Sequence, residues 1–78
     1  MSLNSIEREI LEKIAQNQLI TKMELIKFLK NEKKVANPKG ILNSAIKSLS
    51  SNGFINIINP IGATCLVITQ DGSKVLEE

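Results

Sequence analysis

Up to about residue 52, apolar residues recur along this chain with a helical period; after residue 53 they crowd together as they do in strands. Ile6, Ile10 and Ile14 fall four apart. Leu3 and Leu11 widen that stripe, and Glu7, Arg8, Glu9, Glu12 and Lys13 fill the other side. The pattern predicts an amphipathic helix with one buried face, opening on Asn4 with Glu7 as a capping box and ending near Asn17. Leu19-Ile20 reads as a short apolar link or one extended strand. Thr21-Lys22-Met23-Glu24 reads as a second capping box, with the Glu24 amide donating to the Thr21 hydroxyl and the Thr21 amide donating to the Glu24 carboxylate. Leu25, Phe28 and Leu29 then face inward, and Lys22, Lys27 and Lys30 outward. This helix ends near Glu32, in the charged turn Asn31-Glu32-Lys33-Lys34, after which Val35 or Ala36 returns to the core.

Asn37-Pro38 opens a third helix. Asparagine is a strong N-cap, and proline suits the first helical position because its missing N–H has no partner there. Leu42, Ala45, Ile46 and Leu49 make its buried stripe, and Gly53 closes it in the left-handed conformation. Phe54-Ile55-Asn56-Ile57-Ile58 and Thr64-Cys65-Leu66-Val67-Ile68 read as two strands, joined by a turn that carries Pro60 and Gly62. Thr69 caps a last short helix over 70–78 in which Val75 and Leu76 pack inward. The class is α+β: three helices, a β-hairpin and a short C-terminal helix, in a single domain over 1–78.

Seventy-eight residues allow one small core, and with only Phe28 and Phe54 as aromatics, aliphatic residues must fill it. The net charge of +2 decides little until its placement is considered. Between residues 22 and 47 seven lysines stand against Glu24 and Glu32, a local +5, whereas the segments before and after are slightly acidic. Basicity gathered in the middle fits a surface that meets nucleic acid, or a solvated lysine-rich face.

Three stretches carry a resemblance: Ile41-Leu42-Asn43-Ser44-Ala45-Ile46-Lys47-Ser48-Leu49, Ser51-Asn52-Gly53-Phe54-Ile55, and Leu66-Val67-Ile68-Thr69-Gln70-Asp71-Gly72. In this order the chain resembles the winged helix-turn-helix superfamily of small DNA-binding regulators. There a recognition helix often ends in a polar-Gly step before an apolar strand, and an Ile/Leu-Thr-x-x-Gly segment closes the wing. The resemblance implies that helix 38–51 enters the major groove of double-stranded DNA. Asn43, Ser44 and Lys47 would then meet base edges, and Lys39 phosphate at the helix start. Lys22, Lys27, Lys33 and Lys34 are candidates for backbone contacts that add affinity and salt dependence. Arg8, among three glutamates, is expected in a surface ion pair.

One feature departs from that family. Between residues 53 and 69 there is no lysine or arginine to grip phosphate. Phe54, Ile55, Ile57, Ile58 and Ile61 cannot all face one side of a hairpin, since a half-buried strand alternates. The surplus is expected to meet a second copy, a different protein, or the first or last helix. A homodimeric transcriptional regulator is the leading expectation; a winged-helix module for protein–protein contact in a transcription or replication assembly is the alternative.

The chain has no histidine and one cysteine, Cys65, so a Ser/His/Asp or Cys/His set and an intrachain disulfide are excluded. Cys65 sits in an apolar strand and reads as a core residue. Glu7, Glu9 and Glu12 share a charged helix surface without forming a catalytic pair. The expectation is a cytoplasmic protein that is not an enzyme and uses no cofactor. No apolar run is long enough to span a membrane, and no signal peptide is visible.

Overall fold

Each helix begins where the sequence supplies a side-chain oxygen. The computed structural model describes residues 3–58 and 64–77. In α1 (Ser5–Asn17) the capping box is complete: the Glu7 amide donates to Asn4 Oδ1 at 2.8 Å and the Asn4 amide to Glu7 Oε1 at 3.2 Å. The chain then forms β1 (Leu19–Thr21) and enters α2 (Lys22–Asn31). Here only half of the expected box forms. The Glu24 amide donates to Thr21 Oγ1 at 3.1 Å, but the Glu24 carboxylate meets the Thr21 hydroxyl, also at 3.1 Å, instead of its amide. Thr21 is both N-cap and last residue of a strand, which sets where its backbone points.

In α3 (Pro38–Ser51), Asn37 caps the first turn by accepting from the Gly40 amide at 3.3 Å. Gly53, at φ +78°, lets the chain reverse so that the Phe54 amide reaches the Leu49 carbonyl at 2.9 Å. Two strands, β2 (Ile55–Ile58) and β3 (Cys65–Ile68), and α4 (Gln70–Glu77) complete the chain.

Among the described residues the architecture is α+β, with four helices and one small antiparallel sheet. In that sheet the short β1 joins the hairpin read from the sequence: β3 is central and pairs with β1 on one side and β2 on the other. Leu19 lies opposite Val67 and Ile20 opposite Leu66, while Ile57 faces Leu66 and Ile58 faces Cys65. Strand alternation assigns Ile20, Leu66, Ile68, Ile55 and Ile57 to one face and Leu19, Thr21, Val67, Cys65, Asn56 and Ile58 to the other. The first face closes on α1 and joins the core of Ile10, Leu11, Ile14, Leu25, Leu29, Leu42 and Leu49. Phe28 is half-buried, with the Lys13 ammonium 5.3 Å from its ring centre.

Two long-range ties hold α4. Arg8 Nη2 donates to the Leu76 carbonyl at 2.8 Å, so Arg8 serves a helix C-terminus and not the expected ion pair with its glutamate neighbours. Thr69 joins three segments: its hydroxyl donates to the Gly53 carbonyl at 2.7 Å and accepts from the Gly72 amide at 3.1 Å, while its own amide donates to the Phe54 carbonyl at 3.0 Å. Thr69→Val keeps the shape and removes both hydroxyl bonds. Urea unfolding is expected to show a loss of about 1–2 kcal/mol.

No helix among the described residues is long and apolar enough to cross a membrane.

Candidate nucleic-acid interface

The exposed side of α3 carries no acid. Leu42, Ala45, Ile46 and Leu49 are buried, which turns Lys39, Asn43 and Lys47 outward along one line at a spacing of four residues. Ser44, one position round the helix, is also exposed but leans the other way. It lines a cleft of about 680 Å³ between α3 and the start of α1, with Asn4, Ile6 and Ile41.

Beside the Lys39 side of α3 runs α2, and two open hollows lie along the junction. The first, about 390 Å³, is lined by Lys22, Met23 and Ile26 from α2, Lys39 and Asn43 from α3, and Thr21 and Thr64 at the sheet. The second, about 340 Å³, lies between Ile26, Lys30, Val35 and Lys39. Among the described residues no carboxylate lines either. Lys39 borders both, so Lys22, Lys30 and Lys39 ring the half-buried Ile26.

The opposite flank of α2 is electrically mixed. Lys27 lies there with Lys13, Glu24 and Glu32. Lys33 forms an ion pair with Glu9 of α1, beside Glu12 and Lys13. Lys34 is exposed in the turn at φ +51°. Of the eight basic and polar residues the sequence picked out, the structure therefore gathers Lys22, Lys39 and Asn43 around one hollow, with Lys47 a turn further along α3. It sets Ser44, Lys27 and Lys33 on other surfaces, and Lys33 already has a carboxylate partner.

Sequence reasoning did not single out Lys30, which is as outward as Lys27 until α2 is packed on α3. Lys22, Ile26 and Lys30 are spaced by four and form one helical stripe, while Lys27 stands about 140° round the helix from Lys22. An exposed Met23, on the rim of the first hollow, was missed too.

The apolar candidates also divide. Ile55, 2 % exposed, belongs to the core, and Phe54 is half-buried against it. Ile57 and Ile58 are 43 % and 46 % exposed, on opposite faces of β2. Ile61 lies outside the described residues. Cys65 is buried in β3.

No protein-family model, curated protein or solved structure matches this chain.

Proposed function

We propose that this chain is a winged-helix domain that binds double-stranded DNA, with α2 and α3 as its helix-turn-helix, α3 in the major groove and the β2–β3 ribbon as the wing. In this reading it acts as a transcriptional regulator. The observation that carries the proposal is the segregation of charge around α2: an acid-free flank of Lys22, Lys30 and Lys39 continuing along α3 to Lys47, against a mixed flank on the side of α1. A solvated surface placed only for solubility has no reason to separate its signs in this way. Lys22, Lys30 and Lys39 suit phosphate. Asn43 and Lys47, further along the groove-facing line, suit base edges or the sugar–phosphate wall.

A protein partner in place of DNA is the second reading. It is favoured by the exposed Ile57 and Ile58 and by the absence of lysine and arginine between residues 53 and 69.

Titration of a random duplex at two salt concentrations tests the first reading. Binding should weaken with salt, with a slope of about −0.9 per phosphate neutralised. Lys47→Ala should lower the magnitude of that slope by about 1 without changing the unfolding curve. No binding even at low salt would turn the assignment to the second reading, and an unchanged slope would remove Lys47 from the interface.

A further inference from the structure

We infer that β2 is the strand through which two copies of this chain pair, edge to edge and antiparallel, about a two-fold axis at Ile57. The Thr69 amide donates to the Phe54 carbonyl at 3.0 Å, which fixes the phase of the β2–β3 pairing. Bonded pairs alternate along an antiparallel ladder, so Asn56 with Val67 and Ile58 with Cys65 carry the next bonds. The N–H and C=O groups of Ile55 and Ile57 therefore point away from β3. Ile55 is buried where α3 packs on β2. Ile57 is exposed, and among the described residues its two backbone groups have no partner.

Within Ile55–Ile58 no residue blunts this edge. No charged residue occurs between Lys47 and Asp71, and the β2–β3 register runs without a bulge. Natural edge strands are commonly guarded by lysine, proline or a bulge. The other edge, β1, is three residues long and confined between α1 and α2, with Lys22 at its end.

The side chains say what fits there. Ile57 and Ile58 are exposed on opposite faces, so an occupant resting on one face covers only one of them. A strand added alongside covers both. A second β2 satisfies each requirement. Reversed about Ile57, it offers the same N–H and C=O pair in return and sets Ile57 against Ile57 on one face. On the other it sets Ile58 beside Asn56, and no like charges meet. The two-fold axis of such a pair is perpendicular to the sheet. The sheet becomes continuous, and both copies of α3, which pack on its core face, lie on the same side of it. The pairing is read in the free protein, so it stands or falls separately from DNA binding.

Sedimentation equilibrium of the full chain over a wide concentration range tests the pairing. The wild type should pass from monomer to dimer as concentration rises, and hydrogen exchange at the Ile57 amide should slow over the same range. Ile57→Pro removes a donor that the β2–β3 ladder does not use. It should raise the dissociation constant about tenfold or more, with the circular dichroism unchanged. Ile57→Lys, which places like charges across the axis and keeps the amide, should act in the same direction even if the proline variant folds poorly. Leu19→Ser, at the other edge, should leave the constant unchanged. A protein that stays monomeric at every concentration overturns the inference and leaves the edge to a strand of another protein. A dimer insensitive to both Ile57 variants overturns it by placing the contact elsewhere.

Discussion

Gly72→Ala should destabilise the domain by about 3 kcal/mol, lowering the thermal midpoint by on the order of 15 °C. At an exposed helical position the same change would stabilise by about 1 kcal/mol. Here the sign reverses because of what a Cβ would meet: the Phe54 carbonyl oxygen at 2.3 Å and Ile68 Cγ1 at 2.8 Å. A flexible side chain could step aside, but the Phe54 carbonyl cannot. It accepts from the Thr69 amide, and it lies between the left-handed Gly53 and the first ladder residue of β2. The first turn of α4 must therefore retreat, which costs overpacking strain of about 3 kcal/mol and about 1 kcal/mol more as the Thr69 hydroxyl loses the Gly53 carbonyl. The propensity gain offsets only about 1 kcal/mol of that total. Urea unfolding of Gly72→Ala beside Ser73→Ala, an exposed neighbour on the same helix, isolates the effect of close approach from that of propensity. A neutral or stabilising Gly72→Ala would mean that α4 does not press on the entry to β2.

Local chemistry made the helices legible in advance. Asn4, Thr21, Asn37-Pro38 and Gly53 mark ends through bonds within a turn or two, and the four-residue spacing of isoleucine and leucine marks the buried side. Pairing between distant segments is a different matter. Leu19-Ile20-Thr21 is too short to show a period; its residues allow a link or an extended strand, and nothing in them names β3 as its neighbour. Arg8 illustrates the same limit: its sequence neighbours are glutamates, yet its partner is the Leu76 carbonyl, 68 residues on. In the isoleucine-rich segment the residue types alone could not separate the buried Ile55 from the exposed Ile57. On the sheet they share a face, and what differs is the distance from α3 along the strand. The candidate site was readable on α3, where the buried stripe fixes which side is open. On α2 it was not, because which flank of that helix adjoins α3 is a tertiary fact. Lys30 and Lys27 are equally outward on a wheel; only the packing puts Lys30 beside Lys39 and Lys27 among carboxylates.

That placement gives the sharpest functional expectation. Replacing Lys22, Lys30, Lys39 and Lys47 together by glutamine should weaken duplex binding at low salt by on the order of a hundredfold and take roughly four off the magnitude of the salt slope. Glutamine keeps much of each aliphatic stem over the hollows around Ile26, so the change falls mainly on charge. A second quadruple variant, with Lys13, Lys27, Lys33 and Lys74 replaced in the same way, removes an equal amount of positive charge from other surfaces. In that set Lys33 already faces Glu9, and Lys13 and Lys27 lie among glutamates. If affinity came from net charge at long range, the two variants would lose it together, because a diffuse field does not depend on where the lysines stand. If α2 and α3 form a contact surface, the first variant should lose the slope while the second keeps nearly all of it, since each counterion is released where a lysine meets a phosphate. Equal losses in the two variants would reduce the basic flank to a contributor of charge and remove the reason for placing α3 in the groove.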